Sequence, residues 1–528
     1  MWLALDGKGP LHRQAYRALR QAILSGALPP GRRLPSTRAL AREAGLSRNT
    51  LLEAYAQLVA EGYAAPRAGS GTTVAQALPE EALHAERLRG APPSGPANAT
   101  HRTDAGSPAH PRRSAWLARL RRAAPRPGLS WSLASDRVPY EFRYGEPAYA
   151  DLPLTAWCRA LARRARRARI RDLAYAAPGG APELRRALAA HLARTRGVAC
   201  GPEQVIVTHG VQQGIDLTAR ALVDPGDRVA VEEPGYGGVT LALEAAGARL
   251  VPVPVDAEGL EVGRLARLAP VRLVCVTPSH QFPTGAVLPL SRRIELLGYA
   301  REHAAFVFED DYDSEYRYSG RPIECLQGLD GDGRVVYAGT ASKLLFPALR
   351  IGWLVAPPDL APDLLLAKAA CDTGSASLEQ LALADFIESG QLERHVRRTR
   401  LRNAARRAAL LDALRRELGA AAVVSGTDAG LHVLLWLPDL PASEATAFRH
   451  RCREAGVGIY PVAPYYREPP DRAGYVLGYA ALDEERIREG VARLAECLSA
   501  ALTRRRPLGS RGRSRGATGA TGGGRGRS

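Results

Sequence analysis

The sequence predicts an α/β protein with two folded parts, a small helix-turn-helix domain followed by a large domain built on a mainly parallel sheet. Three observations support this: two short capped helices joined by a glycine turn, a long alternation of helical and apolar stretches, and an aperiodic Ala, Pro, Arg, Ser and Gly segment between them. A length of 528 residues also favours more than one core. We expect a winged helix-turn-helix domain at 1–76, a flexible linker at 77–128, the large domain at 129–503 and a basic disordered tail at 504–528.

The N-terminal domain is predicted from helix caps and glycine stops. A first helix is expected over 10–26, where small and aliphatic residues share one face. Ser36 is placed to cap a helix over TRALAREA that stops at Gly45, and Ser47 to cap RNTLLEAYAQLVAEG before Gly62. Two short helices with a tight glycine turn make a helix-turn-helix. The following stretch, YAAPRAGSGTTVA, has the β-branched and glycine content of a two-stranded wing.

The stretch from Leu34 to Val74 resembles the GntR-type winged helix through LPSTRALA, GLSRNTL and RAGSGTTV, in that order. The resemblance implies that the domain binds double-stranded operator DNA, with its recognition helix in the major groove. Leu51, Tyr55 and Leu58 are expected to face the core. The expected DNA contacts lie on the second helix, the start of the recognition helix and the wing: Arg38, Arg48, Asn49, Thr50, Arg67 and Gly69.

The large domain is predicted from four buried strands that end in polar residues. The stretches RVAVEEPGY, VRLVCVTPSH, AFVFEDDYD and RVVYAGTASK each contain an apolar run that leads into polar or turn residues. Strands that alternate with helices form a mainly parallel sheet, whose ligand site lies where the strands end. We therefore expect the polar residues at these four ends to surround a ligand.

Lysine is almost absent from the chain: Lys8, Lys343 and Lys368 are the three lysines among 72 basic residues. Because arginine supplies positive charge everywhere else, a lysine kept inside a motif indicates chemistry that needs a primary amine. Lys343 stands in such a motif, TASKLLFPALRIGW, directly after a predicted strand. Arginine cannot form a Schiff base, so Lys343 is the candidate residue for one.

The region 129–503 resembles the fold type I, aminotransferase-like enzymes that use pyridoxal 5'-phosphate (PLP), and the whole chain resembles the MocR subfamily of GntR regulators. The motifs are TASKLLFPALRIGW, FEDDYDSEY, THGVQQGID, EEPGYGG and TPSHQFPTG. The resemblance implies that Lys343 holds PLP as a Schiff base and that Asp310 pairs with the protonated ring nitrogen. The other cofactor-binding residues that it implies contact the ring or the phosphate: Tyr312, Tyr236, Val211, Gln212, Thr340, Ser342, Arg350 and His280.

Two further features of the resemblance concern partners and activity. Tyr175, in YAAPGGAPELR, matches the aromatic residue that one subunit of these enzymes lends to the phosphate of the other, which implies a homodimer. YVLGY places Val476 where aminotransferases usually carry an arginine that clamps the substrate α-carboxylate. Because that grip orients the substrate for proton transfer, we expect weak or absent transaminase activity.

The predicted function is a PLP-dependent, DNA-binding transcription regulator that senses an amine, an amino acid or PLP through aldimine chemistry. One alternative is an active aminotransferase with an accessory DNA-binding domain, and Val476 argues against it. Another is a binding module that keeps the fold but no longer binds PLP. Lys343, Asp310 and Arg350 argue against this second alternative.

Charge is distributed unevenly along the chain. The net charge of +18 divides into +6 on residues 1–76, +5 on 77–128, −1 on 129–503 and +8 on 504–528. A near-neutral body with basic appendages is typical of a protein that meets a polyanion, while a basic tail is equally typical of a solvated end. The absence of a long apolar run or signal segment predicts a cytoplasmic protein with no membrane partner. Seven dispersed cysteines and no histidine cluster at ligand spacing predict neither disulfides nor a metal site.

Overall fold

The computed structural model describes residues 3–67, 71–78, 114–123, 137–320 and 324–505. The chain divides into two compact units, Met1–His110 and Pro111–Ser528. Gly69, most of the predicted linker and residues 506–528 of the predicted tail lie outside the described residues. No helix within the described ranges combines the length and apolarity needed to cross a bilayer.

The N-terminal unit is a winged helix-turn-helix. Its elements are the helices α1 (Leu11–Leu24), α2 (Thr37–Ala44) and α3 (Arg48–Ala60) and the strands β1 (Ala64–Arg67) and β2 (Gly71–Val74). The two strands pair antiparallel, as the prediction of a wing requires.

Serine caps fix where α2 and α3 begin. The Ser36 hydroxyl accepts the backbone N–H of Ala39 at 3.2 Å, and the Ser47 hydroxyl accepts that of Thr50 at 3.1 Å. Gly45 ends α2 in the left-handed region, at φ +67°. These are the caps and the stop that the sequence predicts.

The core of this unit fixes which face of α3 points outwards. Leu51 and Leu58 are fully buried, and Tyr55 is buried with its hydroxyl donating to the Pro35 carbonyl at 2.8 Å. Burying a leucine contributes roughly 1.5–3 kcal/mol, so this packing holds α3 in one rotational setting. The prediction that these three residues face the core is confirmed.

An eight-stranded mixed sheet forms the centre of the large unit. Its strands are β4 (Val205–Thr208), β5 (Arg228–Glu233), β6 (Arg249–Asp256), β7 (Gly259–Leu260), β8 (Leu273–Val276), β9 (Phe306–Asp311), β10 (Val335–Thr340) and β11 (Gly352–Val355). Their spatial order is β4-β11-β10-β9-β8-β5-β6-β7. The strands β6, β5, β8, β9 and β10 pair parallel in that spatial order, and β11 is antiparallel to both of its neighbours. The four predicted strands correspond to β5, β8, β9 and β10, and the mainly parallel sheet is confirmed.

Helices cover both faces of this sheet because successive strand residues point to opposite sides. Ile206 and Leu354 pack with one set of helices, whereas Val207 and Trp353 pack with another. The helices of the large unit are Ala115–Ala123, Leu154–Arg167, Ile170–Leu173, Pro182–Arg196, Val211–Leu222, Gly237–Ala246, Val262–Leu265, Leu290–Glu302, Leu326–Leu329, Ala361–Asp372, Ser377–Glu388, Gln391–Leu418, Ala445–Glu454 and Glu484–Arg505.

A smaller antiparallel sheet lies in the C-terminal part of the large unit. Its strands, in spatial order, are β12 (Val423–Ser425), β13 (His432–Pro441), β16 (Arg472–Gly478) and β15 (Tyr460–Pro461). A separate parallel pair joins β3 (Tyr140–Glu141) to β14 (Val457–Gly458). This pairing holds the residues after β3 against the C-terminal part of the chain.

In the described part of the range predicted as a flexible linker, residues Ala115–Ala123 form a helix, which corrects the expectation for those residues. The helix packs against Gly237–Ala246, Ala123 is buried, and Arg119 Nε donates to the Ala245 carbonyl at 2.9 Å. The helix is therefore stabilised by packing on another element of the large unit, a contact that composition alone does not reveal. The start of the predicted tail likewise continues the last helix, Glu484–Arg505.

Candidate cofactor site and DNA-binding surface

The ends of the parallel strands bring polar side chains together. Glu232, on β5, accepts the N–H of Thr277 at 3.1 Å and its hydroxyl at 2.6 Å, just after β8 ends. Asp310, on β9, lines a small cleft together with Glu232 and Tyr236. The clustering that the strand pattern predicts is therefore present at this edge of the sheet.

Asp310 is a buried carboxylate whose Oδ1 has no hydrogen-bond partner. Burial, followed by the nearby carboxylates of Asp311, Glu232 and Asp313, raises the pKa of Asp310 to about 8. An ionised carboxylate in such surroundings needs a cation that also donates a hydrogen bond. A protonated pyridine nitrogen meets both requirements.

Lys343 follows β10, and its Nζ donates to the Gly145 carbonyl at 2.5 Å. Burial lowers the pKa of Lys343, while Asp313, Asp310 and Glu146 act to raise it. A lowered pKa increases the unprotonated fraction, which is the form that reacts with a carbonyl carbon. Gly145 has φ +73°, and a Cβ there would lie 3.2 Å from Nζ, so a side chain at this position would crowd the lysine.

An anion cradle lies where helix Val211–Leu222 begins. Gly210 precedes the helix at φ +86°, so the N–H groups of Val211 and Gln212 fall in its first turn. Arg350 Nη2 donates to the His209 carbonyl, and a Cβ on Gly210 would lie 3.0 Å from this nitrogen. The helix start and the guanidinium thus face the same place.

Two hydroxyls extend the cradle from the neighbouring strand. The Thr340 hydroxyl donates to Ser342 Oγ at 2.9 Å, and the N–H of Ser342 donates back to Thr340 Oγ1 at 3.1 Å. Gly352 lies between these residues and Gly210, where a Cβ would come within 2.7 Å of the Gly210 Cα. Helix amides, a guanidinium and hydroxyls together suit a phosphate dianion.

Aromatic and imidazole rings line the remaining side. Tyr236 immediately precedes helix Gly237–Ala246, and its hydroxyl donates to Gln212 Oε1 at 3.4 Å. Burial raises the pKa of Tyr236 to about 12. The Tyr312 hydroxyl and the Asp313 carboxylate each lie 3.1 Å from His280 Nδ1. Burial also raises the pKa of Tyr312 well above its usual range, so both phenols stay protonated.

The fold also unites His280, Asp313 and His432, which are widely separated in the sequence. Their ligand-type atoms lie within 4.8 Å of one another, and the two imidazole rings are 4.7 Å apart between centroids. Burial lowers the pKa of His432 far below its usual range, so that ring is neutral. The argument from histidine spacing missed this group because sequence distance does not limit contact in a folded chain.

Two residues singled out in the sequence lie apart from this cluster. Tyr175 has 98% of its surface exposed. Val476 is fully buried on β16, opposite Leu434 of β13 and Tyr460 of β15. The position expected for a carboxylate clamp is therefore apolar.

The N-terminal unit presents its predicted DNA contacts on the surface. Arg48 and Asn49 are exposed at the start of α3, Arg38 is exposed on α2, and Arg67 is exposed at the end of β1. Thr50 is half-buried, and its hydroxyl lies 2.8 Å from that of Ser47 in the cap.

Sequence reasoning missed Arg33, which lies beside the wing. It forms an isolated bridge with Thr73, and a Cβ on Gly71 would lie 3.3 Å from Arg33 Nε. The signal was present in the basic pair of GRRLP, immediately before the helix-turn-helix. In the large unit, Gly145, Glu146 and Asp313 were also missed as neighbours of Lys343.

Two family models match the chain: bacterial regulatory proteins of the gntR family at residues 11–74, and aminotransferase class I and II at residues 141–494. The chain is 40% identical to the probable rhizopine catabolism regulatory protein MocR of Rhizobium meliloti, over 92% of this chain and 93% of that protein. It is 34% identical to the HTH-type transcriptional regulator TauR of Rhodobacter capsulatus, over 94% and 98%. Among solved structures, the multiple substrate aminotransferase of Thermococcus profundus superposes with a TM-score of 0.65 at 27% identity, over 74% and 96%.

A GntR-type winged helix-turn-helix joined to a fold type I aminotransferase domain defines a class of PLP-binding transcription regulators. The chain belongs to the MocR subfamily of GntR-type regulators. It is a DNA-binding transcription regulator, and its cofactor is pyridoxal 5'-phosphate. Lys343, the unpartnered Asp310 and the anion cradle fit that cofactor. The predicted family, fold class and cofactor are confirmed.

Asp310→Asn is expected to have opposite effects on the cofactor-free and the PLP-bound protein. The raised pKa of Asp310 means that the cofactor-free protein loses stability as pH rises from about 4 to about 8, because the unfolded carboxyl releases its proton first. Asparagine removes that loss, so the melting temperature of the cofactor-free variant should exceed that of the wild type increasingly across this window. PLP affinity should fall about 10- to 150-fold, since the lost hydrogen bond is charge-assisted. Equal PLP affinity in an equilibrium titration would contradict the pairing.

Proposed function

We propose that the protein regulates transcription in response to an amine, an amino acid or PLP itself at the site around Lys343. The supporting observation is a full set of cofactor groups combined with an apolar residue, Val476, at the clamp position. A site that binds the cofactor but offers no cation to the substrate carboxylate is better suited to detecting an amine than to transaminating it.

The proposed roles of the site residues follow from their contacts. When bound, PLP supplies an aldehyde that reacts with primary amines and a ring that withdraws electrons. Lys343 Nζ would attach it, Asp310 would pair with the ring nitrogen, and Tyr236 would pack on the ring face. Tyr312 and His280 would lie at the ring edge. The phosphate is assigned to Arg350, Ser342, Thr340 and the N–H groups of Val211 and Gln212.

Release of Lys343 is the proposed event that reports the effector. If an amine took the place of Lys343, Nζ would be released as a free amine able to donate to the Gly145 carbonyl, under the influence of Glu146 and Asp313. We propose that this change shifts the balance between arrangements of the DNA-binding domains.

The N-terminal unit is assigned the operator contacts. We assign the base-edge contacts to the start of the recognition helix, at Arg48, Asn49 and Thr50. We assign a phosphate contact to Arg38, on the preceding helix. We assign Arg67 to the minor groove, and Gly69, to which the sequence gives the same role, lies outside the described residues. The charge of +6 on residues 1–76 makes operator affinity fall steeply with salt.

We also propose a homodimer in the cytoplasm, where operator DNA is found. Tyr175 is exposed together with Ile170 and Leu173, and an exposed apolar patch of this kind suits a partner surface. In the dimer Tyr175 would reach the phosphate of the other subunit, and each protomer would bring one DNA-binding arm.

The rate of transaminase turnover distinguishes a regulator from an active aminotransferase. With PLP bound, the full-length protein should convert common α-amino acids more slowly than about 1 per second, because Val476 offers no charge to their carboxylates. Steady-state assays over a panel of amino donors measure this, with Lys343→Ala as the blank. Turnover of about 1 to 1000 per second that vanishes in the blank would make the protein an aminotransferase.

A further inference from the structure

The surroundings of Lys343 bear on which amines the site accepts. Among the described residues, the carboxylates of Asp313, Asp310 and Glu146 act to raise the pKa of Lys343, and the Arg350 guanidinium acts to lower it. Arg350 donates to the His209 carbonyl in the cradle, where it is assigned to the cofactor phosphate. A ligand carboxylate beside Lys343 would therefore meet like charges that disfavour it.

The side chains that pack with Val476 are aliphatic or aromatic. Val476 packs with Leu434 and Val462, next to the rings of Tyr144 and Tyr465, whose hydroxyls hydrogen-bond to each other. Burying a carboxylate there without a cation would be unfavourable.

The arginine that precedes Tyr144 is already engaged. Arg143 Nε donates to the Tyr460 hydroxyl at 3.0 Å, and its guanidinium lies 5.7 Å from the centre of that ring. The Tyr460 hydroxyl in turn donates to Glu141 at 2.5 Å. Arg143 thus donates to a phenol that itself donates to a carboxylate of the same chain.

Glu146 supplies the opposite kind of group. Its Oε1 accepts from Arg137 at 2.9 Å, whereas its Oε2 is buried without a hydrogen-bond partner. The side chain is 13% exposed and directly follows Gly145, the residue whose carbonyl accepts from Lys343 Nζ. A buried acceptor left unpaired is costly, so a hydroxyl or amino group of a ligand would stabilise it.

We propose that the effector is a primary amine that lacks an α-carboxylate and carries a second hydrogen-bond donor, a hydroxyl or another amine, for Glu146. This inference rests on the proposed function, and it narrows the effector to amino alcohols and polyamines. The carboxylates around Lys343 that favour an amine also disfavour the α-carboxylate of an amino acid, so α-amino acids are excluded.

Three ligands that share one skeleton test the proposal on the full-length, PLP-bound protein. In 2-amino-1,3-propanediol the amine is flanked by two hydroxymethyl groups, in L-serine by a hydroxymethyl and a carboxylate, and in 2-aminopropane by two methyls. Titration of the visible absorbance band should give half-saturation by the diol at a concentration about tenfold or more below either of the others. Equal or tighter binding of L-serine would overturn the proposal, and equal binding of 2-aminopropane would overturn the role of Glu146.

Substitutions test which residues cause the preference among the three ligands. Glu146→Ala should remove the advantage of the diol over 2-aminopropane, because it removes the acceptor, while Glu203→Ala, at an exposed acid, should keep it. Val476→Arg should improve L-serine relative to the diol, whereas Val476→Leu, which changes bulk without charge, should not. Should Val476→Arg fail to fold, the wild-type ranking of the three ligands still decides. Operator binding measured in parallel separates the two claims: a diol preference without any effect on operator affinity would refute sensing and leave the ligand class intact.

Discussion

Lys343→Ala is expected to abolish the visible absorbance band of the PLP-bound protein. The band requires an amine joined to the cofactor, and in the described part of the large unit Lys343 is the lysine that stands beside Asp310 and the anion cradle. Lys368, the other lysine of that unit, is buried and paired with Asp372 at 2.7 Å. The spectrum of the purified variant after incubation with PLP measures the loss.

A second lysine variant serves as the control. Lys8 is exposed in the N-terminal unit, so Lys8→Ala removes the same side chain without touching the cofactor site. It should keep the full band. A band of unchanged intensity in Lys343→Ala would show that another group attaches the cofactor and would refute the assignment of Lys343.

Arg48→Ala is expected to weaken operator binding about 5- to 150-fold, the equivalent of roughly 1–3 kcal/mol for one base-edge contact. Arg48 is the first residue of α3 and is exposed, while Leu51 and Leu58 hold the opposite face of the helix in the core. A gel-shift or fluorescence titration with the full chain measures the loss. The folded state of the variant is checked by its melting temperature.

Arg13→Ala is the matched control for this variant. Arg13 is exposed on α1, outside the helix-turn-helix and the wing, so its loss removes the same charge from the same unit. It should reduce affinity for operator and random duplexes alike and by a smaller factor. Equal losses in the two variants would mean that the register of the recognition helix is wrong.

Local chemistry explains why so much of the fold was predictable. Serine caps, glycine stops and apolar runs act within a few residues, so α2, α3 and the strands β5, β8, β9 and β10 could be located from the sequence. Parallel strands place their carboxyl ends at one edge, which is why Asp310 and Glu232 could be expected to meet.

The remaining features depend on contacts between distant segments. Lys343 Nζ reaches the carbonyl of Gly145, 198 residues away, and Asp313 pairs with a histidine 33 residues before it. The helix Ala115–Ala123 is stabilised by the surface of Gly237–Ala246, which composition does not show. Glu146 gave no local signal, because an acid before a proline is ordinary in a loop.

The most direct test of the account measures operator affinity with and without an amine that shifts the visible band. The full-length, PLP-bound protein is titrated on an operator selected from random duplexes, and Lys343→Ala is treated identically. We expect the amine to change the affinity of the wild type several-fold and to leave that of the variant unaltered, because Lys343 is the group that the amine replaces. An unchanged wild-type affinity at saturating amine, or an equal response in the variant, would contradict the coupling of the cofactor site to DNA binding.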